Sequence, residues 1–244
     1  MSGIVGLVSS SQLVPRLIRG LQQLDRPSDN ACGLAVHGLA RHADVAPGLH
    51  RQRWAHRVSD GCLQEVDATL PQLQAGAGLA HTGQLPPQGN RLLPQTLPHF
   101  SHGPKATLNS PARVAVVHHG SLHNQQALRE TLQDRGYAFK SQSDTEVIAH
   151  LIDATGSGDP VQAVRRTMGL LKGCFALGVM FHDHPLRVIA AQHQRPLFWG
   201  VGSGHIGCAS DVQALPPDTD SVQRLQDGQL IDLHNMCCSV SRWD

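Results

Sequence analysis

The sequence predicts an α+β fold in which two stacked β-sheets are flanked by helices. Short apolar segments bounded by glycine recur along the 244 residues, and their length and their valine and alanine content are typical of buried strands. Helical patterns lie between some of these segments. Because the chain shows no internal repeat and no linker, one domain covering residues 1–244 is the most economical architecture.

The segments predicted to form strands are short enough to cross a sheet once. They cover residues 3–8, 33–38, 78–81, 113–118, 174–181, 187–191 and 230–233. Their side chains suit strands that are buried on one face or on both. This pattern is compatible with sheets that pack against each other.

Helices are predicted where apolar residues recur at helical spacing. They cover about residues 12–24, about 124–135, a stretch that opens at residue 143, and about 160–171. Asn124 is predicted to be the N-cap of its helix, and Gly136 the stop signal. The tetrapeptide at 143–146, Ser-Asp-Thr-Glu, has the pattern of a capping box.

Residues 84–111 differ in kind from the rest of the chain. They contain six prolines and several glutamines, with no regular period. We therefore expect one long irregular loop region, and loops of this length within a domain are commonly functional or mobile.

Composition excludes some classes of function. The formal net charge is only +1, which gives no electrostatic reason to expect nucleic acid or a membrane surface as a partner. No apolar run approaches the roughly 18 residues of a spanning helix, and no signal peptide is visible. We expect a cytoplasmic protein whose partner is a small molecule or another protein.

The chain is rich in histidine but does not show the spacing of a metal site. Its 16 histidines include the groups 99–102, 118–119 and 182–184, none of which has the i, i+4 or Cys/His spacing of a zinc site. The six cysteines form no C-x-x-C pair, so buried thiols are expected rather than disulfides. We expect neither a metal nor a cofactor.

Ser2 is the residue on which the chemistry depends. If Met1 is removed, Ser2 carries both a hydroxyl nucleophile and a free α-amine, with a pKa of about 7.7–8.0, that can serve as its general base. Met-Ser also begins many proteins without such a role, and the apolar run that follows is typical of a first core strand. Both interpretations are open at this point.

Several short motifs occur in one order along the chain and together carry a resemblance. They are Gly3-Ile4-Val5-Gly6, Ala31-Cys32-Gly33-Leu34-Ala35-Val36, Ala80-His81-Thr82, Val116-Val117-His118-His119-Gly120, the segment 143–150 and the segment 209–215. This set resembles the class II glutamine amidotransferase domain, most closely the N-terminal glutaminase domain of glucosamine-6-phosphate synthases. The resemblance implies an N-terminal-nucleophile hydrolase fold, a four-layer α/β/β/α sandwich, and no sugar isomerase domain within these residues.

The resemblance also implies roles for individual residues. An N-terminal cysteine of the family attacks the side-chain amide of glutamine, and Ser2 stands at that position. His119 and Gly120 match the oxyanion region. His81, Thr82 and Asp144 match substrate-binding positions, with Asp144 at the aspartate that holds the substrate amino group.

Other positions depart from the family pattern. Gly83 and Gln84 replace an arginine and a tryptophan, and the arginine is the natural partner of a substrate carboxylate. His119 replaces an asparagine that donates to the oxyanion. Residues 27–31 replace a segment that contains another arginine, and proline-rich residues 85–87 replace a threonine and a histidine.

The departures favour a degenerate relative that has lost glutamine hydrolysis and serves as a binding or regulatory domain. The alternative is an active amidohydrolase or ammonia donor that uses Ser2 on glutamine or another small amide, with a protein partner or acceptor subunit for any ammonia released. A third interpretation, a serine engineered to trap substrate, explains position 2 alone.

Overall fold

The computed structural model describes residues 2–39, 47–60, 66, 70, 75–85, 93–107, 109–156 and 158–243. Within these residues the chain forms thirteen strands and four α-helices. The strands are β1 (Gly3–Ser9), β2 (Ala31–Gly38), β3 (Gly48–Trp54), β4 (Ala75–Gly83), β5 (His99–Ser101), β6 (Val114–Leu122), β7 (Gly173–Phe181), β8 (Arg187–His193), β9 (Phe198–Gly202), β10 (His205–Ala209), β11 (Thr219–Arg224), β12 (Gln229–His234) and β13 (Cys237–Arg242). The helices are α1 (Leu13–Leu24), α2 (Gln125–Asp134), α3 (Asp144–Ala154) and α4 (Pro160–Met168).

The strands form two antiparallel sheets. The first has the order β11-β9-β10-β1-β4-β2-β3 and the second the order β13-β12-β8-β7-β6-β5. Strand β1 lies in the middle of the first sheet, between β10 and β4. The start of the chain is therefore held on both sides.

Alternation of side chains along each strand produces the layers. In β1, Ile4 and Val8 lie in the apolar cluster between the two sheets, whereas Val5 and Leu7 pack with α1 on the outer face of the first sheet. In β6, Ala115 and Val117 face the first sheet, whereas Val114 and Val116 pack with α2, α3 and α4. The order of layers is helix, sheet, sheet, helix, because the central strands bury one face against the other sheet and the opposite face against helices.

All the predicted strands and helices are present, although further strands were not predicted. The additional strands are β3, β5, β9, β10, β11 and β13. The expected long loop was partly wrong, because β5 lies inside it and pairs with β6. Residues 86–92 and 108 of that segment, with Pro86 and Pro87, lie outside the described residues.

The predicted ends of α2 and the predicted start of α3 are correct in position but differ in chemistry, whereas α4 ends at Met168, before the predicted end at about residue 171. Asn124 makes no capping bond, and its side chain instead bonds to Leu170 and Lys172 in the connection between α4 and β7. Gly136 has a φ of 89° and ends α2 as expected. Ser143 does cap α3 by accepting a hydrogen bond from the Thr145 N–H. Glu146 does not complete a capping box, because its carboxylate accepts hydrogen bonds from Lys140 and Ser141.

The cysteines differ in exposure. Cys32 and Cys208 are buried, and Cys174 is half-buried. Cys237 and Cys238 are exposed on β13, contrary to the expectation of buried thiols. Cys62 lies outside the described residues. Among the helices of the described segments, none has the length and apolar character needed to cross a membrane.

Asp153 on α3 joins elements that are distant in sequence. Its side chain is 3% exposed and pairs with Arg113 Nε at 3.1 Å. It also accepts hydrogen bonds from Tyr137 Oη at 2.9 Å and from Ser101 Oγ at 3.1 Å. The carboxylate therefore fixes α3 against β5 and the connection that follows α2.

Replacing Asp153 with alanine should lower the free energy of unfolding by about 3 kcal/mol, because buried donors lose their acceptor. Tyr137→Phe removes one donor and should cost about 1.5 kcal/mol. Urea denaturation measures both effects. Asp134→Ala on the exposed side of α2 is the control and should change stability by less than about 0.5 kcal/mol. An equally small effect for Asp153→Ala would contradict this role.

Candidate functional site

The site begins where three neighbouring strands of the first sheet meet. Gly3 pairs with Thr82 in β4, and β4 in turn pairs Gly83 with Ala31 in β2. Ser2, just before β1, is partly exposed. Ser2, the candidate nucleophile, therefore lies beside the end of β4.

Alternation decides which side chains share a face here. Leu79 packs between the sheets, and Ala80 packs on the α1 side, so His81 faces the second sheet and Thr82 faces away from it. The Thr82 hydroxyl is fully buried and donates to Asp29 Oδ2 at 3.1 Å. The structure therefore does not bring the Thr82 side chain together with His81.

Gly83 lies in contact with both Ser2 and His81. A Cβ added at position 83 would stand 2.8 Å from the Ser2 Cβ and 3.0 Å from the His81 Cε1. Both distances are at or below the closest approach of real Cβ atoms. The space that a side chain from position 83 would need is occupied by these two residues.

Asn30 holds the chain that leaves β4. Its backbone N–H donates to the Gly83 carbonyl at 3.1 Å. Its side-chain amide donates to the Leu85 carbonyl at 3.0 Å and its amide oxygen accepts from the Leu85 N–H at 2.7 Å. These three bonds fix residues 83–85 beside the start of β2.

His119 approaches the site from the second sheet. Val117 points between the sheets, so His119, two residues further along β6, points the same way. His118 lies on the other face, where Nδ1 is 3.4 Å from the Thr145 hydroxyl of α3. Of this pair, His119 is the side chain that faces Ser2 and His81.

The histidines are held in their neutral form. Burial lowers the pKa of His81 to about 3, with repulsion from His119 and His118 adding to the effect. Burial, and then the positive charges of Arg195 and Arg26, lower the pKa of His119 to about 4. Nδ1 of each of these two rings is buried without a hydrogen-bond partner.

Gly120 is required by packing, whatever its chemical role. Its φ is 143°, and a Cβ there would lie 2.0 Å from the Cys174 carbonyl oxygen of β7. No other residue fits this backbone conformation against the neighbouring strand. The glycine of the oxyanion motif is thus explained by the pairing of β6 with β7.

Asp144 is the first residue of α3 and is tied to the end of β6. Its Oδ2 accepts a hydrogen bond from the Leu122 N–H at 2.8 Å. Burial raises the pKa of Asp144, and the Leu122 bond and Arg129 oppose that rise. The carboxylate has a structural partner, which joins α3 to the strand that carries His119 and Gly120.

Three charged residues of this region were missed from the sequence. Asp29 is buried, and its Oδ1 lacks a hydrogen-bond partner. Arg26 and Arg195 act on His119 through their charge, and Arg195 also acts on His118. Arg26 follows α1 and Arg195 lies between β8 and β9, so no local motif marks them as members of one site.

No metal set is formed in the described part of the chain, where no three His, Cys, Asp or Glu side chains are placed to hold an ion. The histidine groups 99–102, 118–119 and 182–184 are therefore not brought together as ligands within those residues.

Comparison of the sequence with known proteins gives the family. Residues 91–217 match the glutamine amidotransferase domain family. Glutamine–fructose-6-phosphate aminotransferase (isomerizing) from Bordetella pertussis is 36% identical over 233 residues, covering 96% of this chain and 36% of the relative. The protein of that name from Thermus thermophilus is 33% identical over 233 residues, covering 96% of this chain and 35% of the relative. The chain thus spans about a third of the length of these relatives.

Solved structures show the fold. Glutamine phosphoribosylpyrophosphate amidotransferase from B. subtilis aligns with a TM-score of 0.77 at 20% identity, covering 99% of this chain and 49% of that one. A structure described as the allosteric regulatory enzyme of purine biosynthesis aligns with a TM-score of 0.81 at 19% identity, with the same coverage. The predicted N-terminal-nucleophile hydrolase fold is confirmed.

Gly120→Ala should lower the free energy of unfolding by at least about 3 kcal/mol, because the added methyl group meets the Cys174 carbonyl and the left-handed φ is strained. Gly158→Ala is the matched control, since no atom lies within 4 Å of a Cβ at that position. We expect the control to be neutral or slightly stabilising. Thermal and urea unfolding measure both variants, and equal stabilities would contradict the packing requirement.

Stability should fall as the pH falls from about 6.5 towards 4. His81 and His118 have pKa values of about 3 and His119 of about 4 in the folded chain, whereas unfolded histidine titrates near 6.5. The unfolded chain therefore binds more protons in this window, with a limit of about 1.4 kcal/mol per pH unit for each histidine. Urea unfolding at pH 7, 6 and 5 measures the slope, which His81→Gln should reduce. A constant unfolding free energy between pH 7 and 5 would disprove the predicted effect of these histidines on stability.

Proposed function

This chain belongs to the family of class II glutamine amidotransferase domains, and from that premise we propose that it binds a small molecule without hydrolysing glutamine. The binding or regulatory role rests on a site that keeps the fold of the family and alters the residues that the resemblance assigns to glutamine.

The contact of Gly83 with Ser2 and His81 carries this proposal. The resemblance implies an arginine at position 83 that pairs with the substrate carboxylate. Here a Cβ at that position would lie 2.8 Å from the Ser2 Cβ, so a side chain there would require Ser2 to move. Glycine supplies no donor, and a bidentate guanidinium is lost. Glutamine therefore lacks its carboxylate partner on β4.

Positive charge reaches the site from other elements. Arg26 and Arg195 both lower the pKa of His119, and Arg195 Nε is buried without a hydrogen-bond partner. Among the described residues, neither arginine forms an ion pair with a carboxylate. Two unpaired guanidinium groups near His119 favour a small ligand with a carboxylate, held differently from glutamine.

One observation favours the second candidate, a hydrolase that uses Ser2 on another small amide. His119 faces Ser2 across the gap between the sheets. With a pKa of about 4, it is neutral at pH 7 and can donate one N–H to an oxyanion. This chemistry needs a free α-amine on Ser2. Met1 lies outside the described residues, and intact mass spectrometry establishes whether it is removed.

The two candidates differ in ammonia release. We expect the Met1-processed chain to release ammonia from glutamine no faster than the Ser2→Ala variant. Ser2→Cys should also stay inactive on glutamine, because a thiol does not replace the missing carboxylate partner. Release from glutamine that depends on Ser2 would refute the binding role, whereas Ser2-dependent release from another small amide would establish the hydrolase.

Binding is measured separately from turnover. Small dicarboxylates and amides such as glutamate and glutamine are titrated against the full chain by calorimetry. Arg195→Gln should weaken carboxylate binding about tenfold, the effect of one charge-assisted hydrogen bond. Arg166→Gln, on the exposed face of α4, is the matched control and should bind like the unaltered chain. Equal affinities in all three proteins would contradict a role for Arg195.

A further inference from the structure

A second, separate cavity lies at the edge where the two sheets meet. It has a volume of about 220 Å³ and is bounded by β3, β5, the segment that follows β5, and α3. Its charged and ring-bearing wall residues are Arg51, Arg53, His99, Phe100, His102, Lys140, Glu146 and His150. None of the residues that the sequence assigned to the N-terminal site lies in this wall.

Two arginines of β3 enter the cavity side by side. Residues 51 and 53 lie on the same face of the strand because side chains alternate. Arg51 donates to the Pro98 carbonyl at 3.3 Å, and Arg53 donates to the Thr96 carbonyl at 3.0 Å. Burial, and then the charge of Arg53, lower the pKa of Arg51 to about 10. In the part of the chain that the structure describes, neither guanidinium forms an ion pair with a carboxylate.

Glu146 supplies the negative charge of the wall, but its carboxylate oxygens already accept hydrogen bonds from neighbouring residues. Its Oε1 accepts from the Lys140 N–H at 2.9 Å, and its Oε2 accepts from the Ser141 N–H at 2.7 Å and the Ser141 hydroxyl at 2.6 Å. The carboxylate therefore holds the chain before α3. Three cationic side chains, Arg51, Arg53 and Lys140, face the cavity against this single carboxylate.

His99 provides an independent sign of a ligand. It is 3% exposed, and its Nε2 is buried without a hydrogen-bond partner. Burial, and then the charges of Arg53 and Arg51, lower the pKa of His99 to about 3. A buried polar atom without a partner is costly, and this one lies in the wall beside two arginines.

We propose that this cavity binds the phosphate group of a small phosphate monoester. A phosphate dianion matches the charge excess of the wall, since three cations face one carboxylate. Its several oxygens can each accept a guanidinium N–H. A monoanionic phosphate can also donate its P–OH to His99 Nε2. The apolar part of the wall, with Pro94, Phe100, Ala106 and Ala138, provides contacts for the carbon part of the ester.

The volume limits the ligand to a small ester. Drug-sized ligands occupy pockets of roughly 300–1,000 Å³, whereas this cavity has about 220 Å³. None of Ser2, His81 and His119 lies in its wall, so phosphate binding and the proposed function are tested with different variants.

Calorimetric titration of the full chain with inorganic phosphate and with glycerol 3-phosphate tests the proposal. We expect saturable binding at one site for both probes. Arg53→Gln and Lys140→Gln should each weaken binding about tenfold, because each removes a charged donor. Arg166→Gln, an arginine exposed on α4, should leave the affinity unchanged. Tighter binding of the ester than of phosphate would support the part assigned to the apolar wall.

Folding of each variant is checked by circular dichroism and urea unfolding. Lys140 is exposed, so Lys140→Gln keeps the test valid if Arg53→Gln does not fold. Absence of saturable binding by the unaltered chain would overturn the proposal. Affinities of Lys140→Gln and Arg53→Gln equal to that of the Arg166→Gln control would also overturn it, because binding would then lie elsewhere on the molecule.

Discussion

The close face-to-face approach of the two sheets is the constraint on which the site depends. A Cβ at Gly6 would lie 3.0 Å from the Cys208 Sγ and 3.1 Å from the Val188 Cγ1, and one at Gly178 would lie 2.9 Å from the Leu79 Cδ2. Larger side chains at these positions would push the sheets apart. Because the spacing is small, His119 of β6 lies close enough to His81 of β4 for its charge to lower the pKa of His81. The electrostatics of the site follow from the packing of the core.

The sequence predicted seven interior strands, and it missed all four edge strands together with the interior strands β9 and β10. The edge strands were missed for a physical reason. Strand β1 is buried along its whole length, so its apolar residues identify it locally. Strands β11 and β13 are largely exposed and have no apolar alternation to mark them. Their strand conformation comes from pairing with other strands. Strand β11 pairs with β9, which is distant in sequence, and β13 pairs with β12 across a turn. Similarly, β5 is a strand because it pairs with β6 and not because of its own composition.

The resemblance of short motifs selected the candidate residues, and their role as a site stays a prediction. Position along the chain identified Ser2, His81 and His119, but the face that each side chain occupies depends on strand alternation and sheet stacking. Thr82 follows His81 in the sequence and yet bonds to Asp29 on the opposite face. Arg26 and Arg195 could not be found in this way, because only the three-dimensional fold brings the ends of α1 and β8 towards β6. The cationic cavity beside β3 likewise has no continuous motif.

Gly120 shows how a family signature and its chemistry can separate. Its backbone conformation and its distance from the Cys174 carbonyl would select glycine in any chain that pairs β6 with β7 in this way. The glycine is therefore expected in this motif whether or not an oxyanion is bound beside it. Its presence indicates that the two strands pair in this way and does not indicate catalysis. Active hydrolases and inactive relatives within such a family are distinguished by positions at which the backbone permits several residue types. Ser2 and His119 occupy such positions here.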